Sequence, residues 1–392
     1  MINIHSRSLR SRTPRLALLA LASAASIALL AGCSTGPSTP TASPSAGAEG
    51  KACKAPSTVT IAENSIPISL SLNMAQGLGY FDKIDAACHT QINFDVIQSP
   101  AAQVPALLAG QVQFVAVGTG NLLNAAVQGQ QFKILLSTAQ GGGGVLIANA
   151  KDKAKGTGVA ALKKYGAGST WAVGSLGGPG QLVSDALLSS VGVDYTKVTF
   201  VPVGTDGLTA AVAGGKAQIG YASSSQAGTG AASGQTYSVM YTASAAVYKQ
   251  LGFFSEAAFA TTPAFAKQYP ELTQQIVNAE VLGLKATRDY FDKSTAALKL
   301  MPASYQATAD PNVWSSTWQQ TAFTAAPLTG ITEQSDLQRE LELSIKYGIL
   351  PAGSKLPSGL ADSSFAKTAY KQLGMAVPTG PIITSFLTKS PK

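Results

Sequence analysis

Short runs of branched and aromatic apolar residues alternate with helical patterns from residue 58 onward, and this alternation most constrains the fold. The sequence predicts strands at residues 58–62, 92–97, 114–117, 133–137, 171–173, 198–203 and 219–221. It predicts helices at residues 68–76, 101–109, 122–127, 179–191, 208–213, 270–284 and 311–323. Such alternation is typical of α/β proteins whose parallel or mixed sheets carry helices on both faces. Open sheets of this class bind ligands at the carboxyl ends of their strands.

The alternation contains an internal parallel at an offset of 105 residues. Residues 106–119 and residues 211–224 each comprise the end of a helix, a Gly stop, a turn with Gln113 or Gln218, a short strand and a small hydroxyl-bearing loop. One interpretation is that two similar domains each direct a hydroxyl loop toward a shared cleft. The other is that any αβ unit shows this order of elements.

Length and composition allow two buried cores. The chain has 392 residues, of which 45% are hydrophobic and 12% are charged. This length is enough for two domains of ordinary size. The low charge and the apolar content exclude a charged disordered protein.

The first 33 residues have the three parts of a bacterial lipoprotein export signal, in order. Four arginines and no acid precede an apolar run at residues 16–30, which is short for a membrane span. The run ends in Leu30-Ala31-Gly32-Cys33, a lipobox pattern. We expect residues 1–32 to be removed and Cys33 to carry a diacylglycerol anchor. The alternative is a buried helix that ends at an unrelated cysteine.

The segment after Cys33 has the composition of a linker. Residues 34–49 are Ser, Thr, Pro, Gly and Ala with a single acid, so they cannot bury apolar surface. We therefore assign residues 33–56 to the lipidated cysteine and a flexible tether. The lipid would be the only contact with the membrane.

Removal of the signal peptide would lower the net charge and would leave a single histidine. The formal net charge of +8 falls to +4, because four arginines and no acids leave. The remainder has no basic run with interleaved aromatic residues, so we expect no nucleic-acid partner. His5 also leaves, so a metal site or a catalytic triad that uses histidine would depend on His89 alone. We predict no metal and no cofactor.

Two cysteines remain beside Cys33 after processing, namely Cys53 and Cys88. An even pair outside the cytoplasm favours a disulfide. Each cysteine lies just before a predicted strand, so parallel pairing of these strands would place both at one end of a sheet. Two free thiols are the alternative.

Several segments, in this order, resemble the substrate-binding proteins of nitrate, sulfonate and taurine importers and the thiamine-precursor (NMT1/THI5-like) group. The first is Ala75-Gln76-Gly77-Leu78-Gly79-Tyr80-Phe81 after the first helix. The others are residues 107–110, 172–175, 198–204, 269–272 and 347–351. The positions of Gln113 and Gln218 are commonly Asp in this group, and we interpret both as structural.

The resemblance implies an α/β type II periplasmic-binding-protein fold, with two lobes, a ligand cleft and two crossing segments. We expect the first lobe at residues 57–144, the second at 145–232, and the rest of the first lobe with C-terminal helices at 233–392. The crossings are expected near residues 140–147 and 223–237, which are rich in Gly and small residues.

The resemblance also implies a function, as an extracytoplasmic, lipid-anchored solute-binding protein of an ABC importer. The chain would be a monomer that captures a small, anionic organic solute by lobe closure and passes it to a permease and its ATPase. It would not be an enzyme. The alternatives are an enzyme on the same fold, of the pyrimidine-precursor type, and a ligand sensor for a membrane receptor. An enzyme would have to use Glu63, Asp185, Asp206 or His89 as acid and base.

The candidate ligand contacts lie in loops at predicted strand ends, where hydroxyl groups and helix N-termini suit an oxyanion. They are Asn64, Ser65, Ile66, Ser99, Gly118, Thr119, Asn121, Ser175, Leu176, Gly178, Gln181, Ser223 and Ser224. Ordinary helix capping is the alternative for each loop. The Gly178-x-Gly180 pattern continues to Val183 without the third small residue of a dinucleotide site, and no phosphate-binding P-loop motif occurs.

Overall fold

The computed structural model describes residues 53–64, 68–97, 99–141, 143–204, 206–253, 255–309 and 314–389. The predicted signal peptide, the lipidation site Cys33 and most of the predicted tether lie outside these residues. The strands are β1 (Thr58–Glu63), β2 (Gln91–Val96), β3 (Phe114–Gly118), β4 (Lys133–Gln140), β5 (Gly144–Asn149), β6 (Thr170–Val173), β7 (Thr199–Pro202), β8 (Ile219–Ser223), β9 (Thr236–Tyr241) and β10 (Ser255–Thr261).

Helices connect the strands and form most of the C-terminal third. They are α1 (Leu70–Gly77), α2 (Tyr80–Cys88), α3 (Pro100–Leu108), α4 (Thr119–Val127), α5 (Pro179–Ser190), α6 (Leu208–Ala213), α7 (Ser224–Ala232), α8 (Ala245–Leu251), α9 (Pro263–Gln268), α10 (Pro270–Asp289), α11 (Ser294–Leu298), α12 (Ala303–Thr308), α13 (Trp314–Ala325), α14 (Gln334–Lys346) and α15 (Ser364–Gln372). Within the described ranges, no helix has the length and apolar character needed to cross a membrane.

The ten strands form two five-stranded sheets of the same topology. Sheet A has the order β2-β1-β3-β10-β4, and sheet B has the order β7-β6-β8-β5-β9. In each sheet the first three strands are parallel, and the fourth is antiparallel to both of its neighbours. In each sheet, the fourth strand (β10 in sheet A, β5 in sheet B) is the first strand that the chain forms after it leaves the other sheet. The predicted α/β class is therefore confirmed.

The internal parallel has an exact structural counterpart. Strands β3 and β8 begin 105 residues apart, and so do the helices α4 and α7 that follow them. The Gln113 Oε1 atom accepts a hydrogen bond from Thr60 N at 2.7 Å, and Gln218 Oε1 accepts one from Thr170 N at 2.6 Å. Each Gln thus ties the turn before one strand to the neighbouring strand. The structural interpretation of both glutamines is confirmed.

The predicted crossing segments need correction. The chain leaves sheet A between Gln140 and Gly144, but residues 144–147, expected in the crossing, begin the buried strand β5. The return expected near residues 223–237 is wrong, because α7 and the start of β9 occupy those residues. Strand β9 pairs with β5 in sheet B, so the boundary expected at residue 232 falls too early. The chain returns to sheet A between β9 and β10, through α8.

The crossing segments were predicted from runs of small residues, but in this structure those small residues allow close packing. A methyl group added at Gly144 would overlap the ring of Tyr221, and one at Gly230 would overlap the side chain of Thr236. A run of Gly, Ala and Ser therefore indicates here that backbone elements approach closely. It does not mark a hinge.

The disulfide is confirmed between Cys53 and Cys88, whose Cα atoms lie 4.9 Å apart. Strands β1 and β2 are parallel neighbours, with Thr58 opposite Gln91, so both cysteines lie at the amino end of sheet A. The cross-link closes the first βαβ unit on the side away from the strands' carboxyl ends.

The two tryptophans of α13 belong to the core around sheet A. Trp318 is fully buried and Trp314 nearly so. The Trp314 Nε1 atom donates to Ser294 O at 2.7 Å, and Trp318 Nε1 donates to Tyr290 O at 2.9 Å. With their only polar atoms satisfied internally, both side chains act as core residues.

Candidate ligand-binding site

The carboxyl ends of the parallel strands lie at one edge of each sheet, and the two edges meet. In sheet A, Gly118 at the end of β3 stands opposite Ala257, near the start of β10. In sheet B, Ser223 at the end of β8 stands opposite Gly144, the first residue of β5. A methyl group built on Gly118 would lie 3.3 Å from the Pro179 side chain of α5, so the two edges touch there.

Hydrogen bonds to neighbouring segments hold the start of the loop after β1 in place. The Asn64 N–H donates to Ser69 Oγ at 2.9 Å, and Asn64 Nδ2 donates to Ile97 O at 3.3 Å. Glu63 Oε2 accepts hydrogen bonds from Asn73 Nδ2 at 2.9 Å and from Gln76 Nε2 at 3.2 Å. Burial nevertheless raises the pKa of Glu63 above its ordinary value. The predicted contacts Ser65 and Ile66 lie outside the described residues.

Thr119, the first residue of α4, is fully buried, and its hydroxyl joins an internal chain of hydroxyl groups. The Thr119 Oγ1 atom lies 3.0 Å from Ser255 Oγ, which lies 2.9 Å from Ser137 Oγ. Ser137 Oγ in turn lies 2.7 Å from Thr332 Oγ1. Four buried hydroxyls from four segments thus satisfy one another beneath the carboxyl edge of sheet A. In this conformation Thr119 supports the edge from inside.

The loop between β6 and α5 carries the most accessible of the predicted contacts. Ser175 and Leu176 are exposed, and Leu176 has 57% of its surface accessible. The Gly177 N–H donates to Gln181 Oε1 at 2.9 Å, so Gln181 holds the loop from within the helix. A methyl group on Gly178 would lie 2.7 Å from Ser175 Oγ. Gly178 therefore allows the Ser175 hydroxyl to lie over the N-terminus of α5.

Two other predicted hydroxyls occupy helix starts. Ser223 forms a capping box with Gln226, because Ser223 Oγ accepts from Gln226 N at 3.3 Å and Gln226 Oε1 accepts from Ser223 N at 3.0 Å. Ser224 is 2% exposed. Ser99 stands exposed at the N-cap position of α3, without a side-chain capping bond. The arrangement at Ser223 is the capping alternative raised from the sequence.

A cavity of about 420 Å³ lies where α4, the β6–α5 loop and the end of α14 come together. This volume suits a small solute. Its lining residues are Gly120, Asn121, Asn124, Leu176, Gly177, Gln181, Ser344, Gly348, Ile349 and Leu350. Of the predicted contacts, Asn121, Leu176 and Gln181 line this cavity.

The remaining predicted contacts fall into two groups. Gly118, Thr119, Ser175 and Gly178 are sequence neighbours of residues that line the cavity. Asn64, Ser99, Ser223 and Ser224 do not line it. The part contributed by residues 344–350 was not predicted as a contact, although the segment 347–351 belongs to the family resemblance.

Tyr221 connects the two sheets at the base of the site. Its ring packs on Gly144 and Gly180, where added methyl groups would overlap it. The Tyr221 hydroxyl donates to Glu256 Oε1 at 3.4 Å and accepts from Thr242 Oγ1 at 3.4 Å. Because Tyr221 belongs to β8 and Glu256 to β10, this hydrogen bond joins sheet B to sheet A.

Sequence reasoning missed two buried acids, Glu256 beside this tyrosine and Glu340 on α14. Glu256 is 5% exposed on β10, and Glu340 is 2% exposed on α14. Burial raises the pKa of Glu256 to about 8, against a weaker lowering effect of the Tyr221 hydrogen bond. Burial, and then the charge of Glu256, raise the pKa of Glu340 well above its ordinary value.

The four acid–base candidates of an enzyme differ in burial and in their place in the fold. Glu63 and Asp185 are buried, and burial raises the pKa of Asp185 to about 7. Asp206 and His89 are exposed. His89 follows α2 and precedes β2, so it lies at the amino end of sheet A, away from the carboxyl edge. No cluster of metal-binding side chains occurs in the described part of the chain.

Solved structures with the same architecture include proteins whose names describe them as binding alkanesulfonate or nitrate. The alkanesulfonate-binding protein SsuA of Xanthomonas axonopodis pv. citri, bound to MOPS, matches with a TM-score of 0.63 and 16% identity, over 78% of this chain and 98% of that chain. The nitrate-binding protein NrtA of Synechocystis PCC 6803 matches with a TM-score of 0.64 and 13% identity, over 83% and 92% of the two chains.

A third structure extends the comparison to another bacterial group. The ligand-binding component of an ABC-type import system from Staphylococcus aureus, with zinc bound, has a TM-score of 0.64 and 11% identity, over 80% of this chain and 99% of that chain. At these identities the likeness establishes the periplasmic-binding-protein fold, as expected from the sequence.

Sequence comparison identifies the family. Among curated proteins, none matches this chain significantly. The family model described as "NMT1/THI5 like" matches residues 69–292, which is more than half of the chain. This stretch includes both sheets except β1 and contains α4, α5 and β10, which frame the site. The chain belongs to the NMT1/THI5-like family.

Proposed function

We propose that this protein is the solute-binding component of an ABC importer and captures a small organic solute between its two sheets. The observation that carries the proposal is the meeting of two sheets of identical topology at their carboxyl edges, beside a cavity lined from both sides. Gly120 and Asn121 come from the sheet A side, and Leu176 and Gln181 from the sheet B side. The names of the structural relatives, which bind alkanesulfonate or nitrate, support the same role.

Capture would proceed by closure of the two halves on the solute. Among the described residues, the strands of the two sheets are connected between β4 and β5 and between β9 and β10, and we propose that one half rotates on the other about these two connections. Contacts that a solute makes with both halves exist only in the closed form. Its binding energy therefore shifts the population toward closure and is not used for bond making. The closed protein would then deliver the solute to a membrane permease with its ATPase.

The helix starts at the edges favour a negatively charged group on the solute. Helices α4 and α5 both begin there, and both begin after a glycine. The N-terminus of a helix has free N–H groups and a positive partial charge, which stabilise an anion. The hydroxyl of Ser175 lies beside one of these starts. A carboxylate or sulfonate is therefore the favoured anionic group.

The location of the protein is part of the proposal. The lipobox at Cys33 and the disulfide between Cys53 and Cys88 both favour an extracytoplasmic chain, held at the membrane by lipid alone. We propose a monomer, since one chain supplies both halves of the site. A ligand sensor for a membrane receptor would use the same site and the same closure.

Titration calorimetry and small-angle scattering test the binding role together. The protein without its lipid would be titrated with alkanesulfonates, taurine, nitrate, aromatic carboxylates and pyrimidines. We expect one of these classes to bind and to reduce the radius of gyration. Absence of binding across the panel, with no change in scattering, would contradict the proposal. Chemical turnover of a bound compound, lost on replacement of Asp185, would instead favour an enzyme.

A further inference from the structure

One backbone donor of the cavity is occupied by a side chain of the cavity itself. Gly177 and Gln181 both line the cavity, and the Gly177 N–H donates to Gln181 Oε1 at 2.9 Å. This N–H belongs to the loop that leads into α5, where free donors and the helix dipole suit an anion. The amide oxygen of Gln181 therefore stands where an anionic oxygen of a solute would bind. An anion can use this donor only when the amide turns away.

A buried acid lies behind Gln181. Asp185 follows it by four residues in α5, about one helical turn, and side chains of a helix lean toward its N-terminus. Asp185 is 1% exposed, and its Oδ1 atom is buried without a hydrogen-bond partner. The Gln181 side chain hydrogen-bonds the carboxyl group. Because Gln181 Oε1 accepts from Gly177, the part of the amide that can serve a carboxylate is its Nε2 donor.

The protonation state of Asp185 decides which way the Gln181 amide can face. Burial raises the pKa of Asp185 to about 7, against a weaker lowering effect of Gln181. A carboxylate only accepts hydrogen bonds, whereas a neutral carboxyl group also has an O–H donor. With the proton in place, Asp185 can donate to Gln181 Oε1 after the amide turns over. The Gly177 N–H is then released, and Gln181 Nε2 becomes a second donor beside it.

The surroundings of α5 add no strong charge to this pair. The turns at residues 159–165 and 195–197, α8 and α14 pack against α5. The ionisable side chains of these elements that are at least partly buried are Tyr165, Tyr195, Tyr248, Asp336 and Glu340, and the others are exposed. The causes of the Asp185 shift are burial and then Gln181, and none of these groups is among them. Asp185 thus responds to pH through its own burial and the amide that it faces.

We infer that Asp185 is a positioning residue for the anionic group of the solute: when protonated, it turns the Gln181 amide so that Gly177 N–H and Gln181 Nε2 both donate to the anion. The inference rests on the proposed function. Without the proton, Gln181 Oε1 stays on Gly177 and presents a carbonyl oxygen to the anion. Binding of an anion should therefore be accompanied by uptake of a proton at Asp185 and should be tighter at acidic pH.

Nuclear magnetic resonance of the solute-free protein tests the turn of the amide without any ligand. The backbone amide signal of Gly177 and the side-chain amide signals of Gln181 would be followed from pH 5.5 to pH 8.5. In the wild type we expect these signals to move together, with one midpoint near pH 7. The wild-type titration needs no variant, so it decides the matter even where a substitution impairs folding. A Gly177 signal that does not change with pH would overturn the inference.

Two matched variants assign the titration to Asp185. In Asp185→Asn the side chain keeps an N–H donor at every pH, so the Gly177 and Gln181 signals should stay constant. Asp95 is exposed on β2, and Asp95→Asn therefore controls for the loss of a carboxylate. This control should titrate like the wild type. Wild-type titration of the Gly177 signal in a folded Asp185→Asn variant would mean that another group turns the amide.

Calorimetry with nitrate and ethanesulfonate, which stay ionised over this pH range, tests the consequence for binding. The protonated fraction of Asp185 falls from about 0.9 at pH 6 to about 0.03 at pH 8.5, so wild-type affinity should fall roughly thirtyfold. The affinity of Asp185→Asn should not change with pH. A wild-type affinity that is equal at both pH values would overturn the inference but not the binding role. Absence of binding at every pH, with amide signals that titrate as expected, would contradict the proposed function and not the turn of the amide.

Discussion

The buried acid Glu256 should make the free protein less stable as the pH rises, and Glu256→Gln should remove that effect. The pKa of Glu256 is about 8 in the folded chain, against an ordinary value of 4.5. Between these values the folded state keeps a proton that the unfolded state has lost. The folded state therefore binds more protons, and the free energy of unfolding decreases as the pH increases. Below pH 4.5 this carboxyl makes no difference.

The size of the effect follows from the two pKa values. At about 1.4 kcal/mol per pH unit, the interval from 4.5 to about 8 lowers the free energy of unfolding by about 5 kcal/mol. Glutamine has nearly the same shape and does not titrate. The variant should thus gain stability relative to the wild type, with most of the gain appearing between pH 5 and pH 8.

Urea unfolding of the solute-free wild type and of Glu256→Gln at pH 5, 6.5 and 8 measures this difference. Other buried acids, such as Glu280, titrate equally in both proteins and cancel in the comparison. The exposed variant Glu342→Gln should show no such pH-dependent gain. Parallel pH profiles for wild type and Glu256→Gln would refute the reasoning, because they would mean that Glu256 ionises in the folded chain as easily as in water.

Three further changes test other parts of the structure. Replacement of Cys53 and Cys88 by serine should lower the free energy of unfolding by about 4 kcal/mol, because the disulfide joins residues 35 apart; an unchanged urea midpoint would contradict this. Gly118→Val should weaken solute binding, because the added side chain would hold the two sheet edges apart. Gly380→Val is the control, because a side chain added there meets no other atom, and its affinity should not change. Equal calorimetric affinities of the two variants would show that the edges need not touch. Tyr221→Phe should cost about 1 kcal/mol in urea unfolding, since it removes a hydroxyl bonded to both sheets, and an unchanged midpoint would show that these bonds contribute nothing.

The regular elements were predictable because their signals are local. Strands β1, β2 and β3 and the helices α1 and α3 follow from runs of apolar residues and from Pro and Gly at helix ends, whereas helix α2 was not predicted. The strands that cross between sheets were not recognised. Strand β10 has the sequence SEAAFAT, in which small residues replace the large β-branched ones that mark a strand. Its small side chains fit a central, fully buried position between β3 and β4, which only the tertiary structure reveals.

The burial of Glu256 and Glu340 could not be predicted from the sequence around either residue. Glu256 lies in an alanine-rich segment without a motif, and Glu340 lies in a helix far along the chain. In α14 the charged sequence around Glu340 resembles a solvated helix surface. One signal was present: Leu337, Glu340, Leu341 and Ser344 are spaced at three, four and seven residues, which is the spacing of a buried helix face. An acid at such a position is unusual and indicates a partner or a function.

The two sheets have the same strand order but differ in the sequence of their fourth strands, β5 in sheet B and β10 in sheet A. This difference decides which side chains lie where the two sheets meet. Strand β5 enters sheet B with Gly144, whose lack of a side chain makes room for the Tyr221 ring. Strand β10 enters sheet A with Ser255 and Glu256, and the carboxyl of Glu256 meets the Tyr221 hydroxyl. The glutamine braces repeat in both halves and serve the fold, and helices begin at the carboxyl edge of each sheet, where an anion of any kind can bind. Selectivity for the rest of the solute should therefore depend on the non-repeated residues of β10 and α14, so that changes there alter which solute binds while the fold and closure persist.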